Sequence, residues 1–147
     1  MTQTVRYQKL DDRAVEPHYG SGLAAGADLY AVMDTPLTLA PGDTALVHTG
    51  LAVEIPAGFV GLVCARSGLA TKRGLAPANK VGVIDADYRG EIMVALHNHG
   101  GATQTIDHGE RIAQRVLVPY LTAVYEPADS LTDTARGAGG FGSTGSK

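Results

Sequence analysis

Breaks in the chain recur every few residues, and they limit what it can fold into. Short β-type runs stand at VRYQKL (5–10), ADLYAV (27–32), TALVHTGLAVEI (44–55), GFVGLVCA (58–65), KVGVI (80–84), EIMVALHN (91–98), QTIDH (104–108), RIAQRVLVPY (111–120) and TAVYE (122–126). Between them lie turn signals: PGD at 41–43, PAG at 56–58, DYRG at 87–90, HGG at 99–101 and HGE at 108–110. β-branched and aromatic side chains fit a pleated sheet, whereas Gly, Pro and Asp supply the conformations that reverse a chain. Many short strands joined by turns predict an all-β sandwich or barrel, and the lack of intervening amphipathic helices argues against a parallel α/β sheet. One stretch departs from this pattern. In RSGLATKRGL (66–75), Ser67 is suited to cap a helix, Ala70 to continue it and Gly74 to stop it, so a helix of about two turns is expected there.

At 147 residues, 44% of them apolar, the chain has the material for one domain with a real core. The packed domain is expected over 1–127. Residues 128–147 turn to Ala, Asp, Gly, Ser and Thr and read as a flexible glycine-rich C-terminal arm. Charged residues make up 18%, below the roughly 25% usual for soluble domains, which favours some surface being covered in an oligomer. A net charge of −3 argues against a nonspecific grip on nucleic acid. Cys64 is the only cysteine, so no intrachain disulfide can form, which fits a reducing compartment. The opening MTQTVRYQKLDD has no apolar signal core, and no apolar run approaches the roughly 18 residues that span a bilayer. These features read as a cytoplasmic protein away from membranes.

Five stretches carry groups suited to chemistry. In ARSGLA (65–70), the start of the expected helix offers backbone N–H groups to an anion, Arg66 a forked cation, Ser67 a hydroxyl and Gly68 close approach. The plainer reading is a capped turn beside a surface arginine. In NKVGVIDADYRGE (79–91), a strand runs into a turn; Asp85 follows an apolar run, so partial burial is expected, and a carboxylate so placed suits general-base work on water. Tyr88 could lie against a flat ligand, and an ordinary hairpin is the competing reading. In AGADLYA (25–31), Asp28 sits among small apolar residues, suited to a structural pair or to a water on Mg²⁺. In ERIAQ (110–114), a Glu110–Arg111 ion pair and a structural Gln114 are the default. The tail RGAGGFGSTGSK (136–147) joins Arg136, the ring of Phe141 and the hydroxyls of Ser143 and Thr144 on a glycine-rich backbone, an inventory matching a nucleotide's base and phosphates. His97 and His99 share a strand face but have no third ligand nearby in sequence, so surface or interface histidines are expected rather than zinc.

Taken in order, AGADLYA, ARSGLA, NKVGVIDADYRGE, ERIAQ and RGAGGFGSTG resemble the five motifs of the trimeric dUTPase family across positions 25 to 145. The resemblance implies a jelly-roll-like β fold with one short helix, and hydrolysis of dUTP to dUMP and pyrophosphate with Mg²⁺. It implies that Asp85 is the general base. Asn79, Val83 and Ile84 would read the uracil edge, Tyr88 would lie against the deoxyribose, and Met93 would add a contact. Arg66, Ser67, Gly68 and Gln114 would hold phosphates, while Asp28 would meet Mg²⁺ through water. Phe141 would stack on the base, Arg136, Ser143 and Thr144 would hold the γ-phosphate, and Gly142 would be a further substrate contact. It further implies a homotrimer in which each arm covers a neighbouring subunit's site. Ala65 stands where the family often has proline, a departure that leaves Arg66, Ser67 and Gly68 intact.

Two other readings remain. A relative of dCTP deaminase would share the architecture but would need a catalytic glutamate in place of the VIDADY pattern, and ammonia release would reveal it. A catalytically silent nucleotide-sensing trimer would bind dUTP with Mg²⁺ and leave it uncleaved.

Overall fold

Alternation along EIMVALHN shows how the sheets are layered. Ile92, Val94, Leu96 and Asn98 are buried while Glu91, Met93, Ala95 and His97 are only half-buried, so one face of this strand is core and the other lines the outside. The computed structural model describes residues 2–140. In chain order its elements are β1 (Arg6–Lys9), β2 (His18–Tyr19), β3 (Ala27–Tyr30), β4 (Leu37–Leu39), β5 (Thr44–Glu54), β6 (Phe59–Cys64), α1 (Ser67–Arg73), β7 (Leu75–Pro77), β8 (Val81–Ile84), β9 (Glu91–Asn98), β10 (Gln104–Ile106) and β11 (Arg111–Pro119).

The strands form a four-stranded sheet in the order β1-β5-β9-β7, a five-stranded sheet in the order β2-β3-β11-β6-β8, and the pair β10-β4. Every named pairing is antiparallel. The result is the expected all-β sandwich of jelly-roll type, its sheets not closed into a barrel. One core joins the layers: Leu29 and Ala31 of β3, Val47 and Val53 of β5, Val63 of β6, Ile92, Val94 and Leu96 of β9, and Ile112 and Ala113 of β11 pack together with Leu69 of the helix. Burial of this kind contributes roughly 25 cal/mol per Å² of apolar surface removed from water.

Three expectations about elements are corrected. TAVYE (122–126) forms no strand: Val124 and Tyr125 are exposed, and among the described residues no sheet edge pairs with the segment. Residues 79–91 are not a hairpin, because β8 pairs with β6 in one sheet and β9 with β5 and β7 in the other, so the turn between them crosses from layer to layer. The helix is where it was expected, but its N-cap is Arg66, with no side-chain capping bond; Ser67 is already helical. Gly74 closes the helix at φ 66°, its N–H donating to Ala70 O. Among the described residues no helix is long and apolar enough to cross a membrane.

Candidate active site

The crossing from β8 to β9 exposes what it carries. Val83, Ile84, Asp85 and Tyr88 line a cleft of about 260 Å³ together with Leu46, Glu91 and Met93. The strand period places Met93 here, because it points away from the core face of β9. Leu46, on the exposed side of β5 and 56% accessible, forms the opposite wall. Asp85 is exposed, not partly buried as its apolar approach suggested: Ile84 is the last strand residue, and the turn lifts the carboxylate clear of the sheet. It is therefore within reach of water.

Tyr88 is held from two sides. Its hydroxyl donates to Glu91 O at 3.0 Å. Its ring occupies the space beside Gly90, where an added Cβ would stand 2.4 Å from the hydroxyl oxygen. Asn79 lies just upstream in the tight turn from β7 to β8, where Lys80 N–H donates to Pro77 O and Val81 N–H to Asn79 O. The Asn79 amide rests over Gly82, 3.4 Å from where a Cβ would be.

A second cluster forms on β3, β11 and the end of β6. Asp28, 8% accessible, pairs with Arg66 Nε at 2.7 Å and with Arg111 Nη1 at 3.2 Å. Gln114 Nε2 donates to Ala65 O at 2.9 Å, and its side chain fills the space beside Gly26 so closely that a Cβ there would meet Oε1 at 2.2 Å. The first, second and fourth motifs thus meet around the entrance to α1. Ser67 and Gly68 are exposed there, with open space where a Gly68 Cβ would be. The expected Glu110–Arg111 pair does not form. Arg111 turns to Asp28, and Glu110 takes Arg73 Nη1 at 2.6 Å, clamping the C-terminal end of the helix.

The two clusters are separate in this chain. The cleft beside Asp85 contains none of Asp28, Arg66 or Gln114. Arg136 lies on the exposed segment after β11, its Nε donating to Gly139 O. Phe141, Gly142, Ser143 and Thr144 lie outside the described residues. Among the described residues no three His, Cys, Asp or Glu side chains gather as a metal cage, and His97 bonds Thr44 instead. Asp28, expected to meet Mg²⁺ through water, has one carboxylate oxygen on Arg66 and the other on Arg111. Sequence reasoning missed Leu46, which reaches the cleft through the pairing of β5 with β9 that no local motif announces, and gave no role to Glu91, although it closes the third motif.

The dUTPase family profile matches residues 12–145. A deoxyuridine 5'-triphosphate nucleotidohydrolase of Desulfitobacterium hafniense is 50% identical over 142 residues, covering 96% of this chain and 94% of the relative. Its counterpart in Maricaulis maris is 49% identical over 133 residues, covering 89% and 88%. Among solved structures, the Staphylococcus bacteriophage 80alpha dUTPase with dUPNHPP superposes at TM-score 0.88 with 29% identity, covering 98% of this chain and 99% of that one. With sequence and architecture agreeing over nearly its whole length, the chain belongs to the dUTPase family.

Proposed function

We propose that this chain is a dUTP diphosphatase that cleaves dUTP between the α- and β-phosphates, releasing dUMP and pyrophosphate. The observation that carries the reading is the cleft itself: in a chain half-identical to deoxyuridine triphosphate nucleotidohydrolases, Asp85 stands exposed beside Val83, Ile84, Tyr88 and Met93. In this reading uracil lies along β8 against Val83 and Ile84, with Asn79 at its edge, and the Tyr88 ring faces the deoxyribose. Asp85 accepts a proton from a water as the water oxygen bonds to the α-phosphorus. The bridging P–O bond breaks, and its electron pair leaves with pyrophosphate. Arg66, Ser67, Gly68 and Gln114 hold the phosphate chain, and Asp28 fixes the orientation of Arg66. A divalent cation, Mg²⁺ in this reading, would supply charge neutralisation along the triphosphate when bound.

One chain does not bring these groups into one pocket, and this supports a homotrimer. The Asp85 cleft of one subunit would face the Asp28, Arg66 and Gln114 cluster of a second. A third would lend the arm with Arg136, Phe141, Gly142, Ser143 and Thr144. Exposed apolar side chains such as Leu23, Leu121 and Leu131, each at least 88% accessible, are consistent with surfaces that an assembly covers. The activity would lower dUTP and supply dUMP, the substrate for making thymidylate.

The test is pyrophosphate release from dUTP, dTTP, dCTP and UTP, with Mg²⁺ and after chelation. Selective cleavage of dUTP that stops on chelation is expected. Asp85→Asn should retain dUTP binding while losing about 10²- to 10⁴-fold in turnover. Turnover like that of the unaltered enzyme would remove Asp85 from the mechanism.

A further inference from the structure

Strand β5 loses its regular register where it crosses the start of β9. The pairing His48–Met93 gives way to Ala52–Glu91, so Thr49, Gly50 and Leu51 of β5 stand opposite Ile92 alone, a surplus of two residues. Gly50 turns this bulge at φ 66°, and a Cβ on it would stand 2.9 Å from the Ala14 Cβ. Side chains replace the missing ladder. The Thr49 hydroxyl donates to Ile92 O at 2.5 Å, and the Gly50 N–H donates to Glu91 Oε1 at 2.8 Å. The other oxygen of that carboxylate, Oε2, lies 2.9 Å from His48 Nδ1. The Glu91 side chain is only 20% accessible, and each of its oxygens has a partner. The same residue offers its backbone carbonyl to the Tyr88 hydroxyl and lines the cleft that holds Asp85.

We infer that Glu91 is a positioning residue for sugar selection: clamped to the β5 bulge, it fixes the carbonyl on which Tyr88 hooks, and so sets how closely the Tyr88 ring stands against the pentose. The argument is mechanical. Tyr88 sits on a turn between two sheets and is 41% accessible, so packing alone does not hold its ring. The one described hydrogen bond of its side chain is to a backbone atom whose residue is tied, through its own carboxylate, to the bulge of the neighbouring strand. A ring held this way leaves a fixed gap at the 2′ position, whereas a ring free to pivot admits a hydroxyl there. Glu91 would thus govern the choice of deoxyribose over ribose without touching the nucleotide. This rests on the reading of the cleft given above.

The experiment measures kcat and KM for dUTP and UTP in the unaltered enzyme, Glu91→Ala, Glu91→Gln, Tyr88→Phe and the double variant Glu91→Ala/Tyr88→Phe, with thermal unfolding of each. Glu91→Ala is expected to lower the dUTP-over-UTP preference in kcat/KM by about tenfold, chiefly by raising activity on UTP. Glu91→Gln, whose amide oxygen still accepts the Gly50 N–H, is expected to restore most of the preference. In the Tyr88→Phe background the Glu91 substitution is expected to change the preference no further, since both cut the same hook. An unchanged preference in folded Glu91→Ala, or independent addition of the two losses, would overturn the inference. Should Glu91→Ala fail to fold, Glu91→Asp is one methylene too short to reach both Gly50 and His48; an undiminished preference there would overturn it equally. An unaltered enzyme that releases no pyrophosphate from dUTP defeats the reading of the cleft first, whereas an active enzyme whose preference ignores residue 91 defeats this inference alone.

Discussion

Gly90 admits no larger side chain while Tyr88 stays where it is. A Cβ on residue 90 would come within 2.4 Å of the Tyr88 hydroxyl oxygen and 2.6 Å of its ring, so Gly90→Ala must move the ring or the turn. Because this turn is exposed, the melting temperature should hardly change, while KM for dUTP rises by roughly tenfold. Steady-state kinetics beside a melting curve would check it. A second residue-scale expectation concerns acid. The Arg13 side chain and backbone N–H both donate to Asp11 and hold its carboxyl at about 2, below the ordinary 3.8. A lowered carboxyl stabilises the fold above its unfolded value, and that contribution is lost as pH falls from about 4 through about 2. Asp11→Asn should therefore melt slightly below the unaltered protein at pH 7, with the gap closing as acid is added; thermal scans across pH measure it. At this scale the sequence said only part of what was needed. VIDADYRG offered Asp85 and Tyr88 as a carboxylate and a ring, but an ordinary hairpin read as well, and only the order of all five motifs gave the two residues roles. The sequence misjudged the exposure of Asp85, because an apolar run reports the burial of the strand and not of the turn beyond it.

Among the elements, α1 was the most readable, because Gly74 stops a helix for a local reason. Its positive φ suits glycine, and it also lies against the HGG turn: a Cβ there would meet Gly100 Cα and N at 2.6 Å. Gly74→Ala should cost roughly 2 kcal/mol or more, combining backbone strain with a steric clash that backbone atoms cannot evade. Urea unfolding would measure it; a loss within a few tenths of a kcal/mol would mean that the turn at Gly100 yields. Strands β2, β4 and β7, of two or three residues each, went unnoticed. Runs that short carry no period, and β7 ends in Pro77, which a sequence reader takes for a break. The run TAVYE erred in the opposite sense. Its β-propensity is real, but a strand needs a partner, and among the described residues this segment pairs with no sheet edge.

At the scale of the molecule, the candidate site is divided. Asp85 and Tyr88 face one cleft while Asp28, Arg66 and Gln114 cluster elsewhere, and assembly is the simplest way to unite them. Arg115 points the same way: it is 8% accessible, its Nη1 has no hydrogen-bond partner among the described residues, and burial lowers its pKa. A buried guanidinium without a partner is costly, so a contact from another subunit would relieve it. Deleting residues 136–147 should leave the mass of a trimer by light scattering while turnover falls at least about 10²-fold. A truncated protein that runs as a monomer would show that the arm holds the assembly together. What the sequence by itself determined was the class of fold and the chemical inventory, since turn residues, strand period and motif order act locally along the chain. Only the tertiary structure decided that β8 and β9 belong to different layers, that Arg66 and Arg111 share Asp28, and that Glu91 braces a bulge beside Tyr88. Those facts depend on which strands pair across long sequence separations, and such pairing is settled by the packing of the whole core.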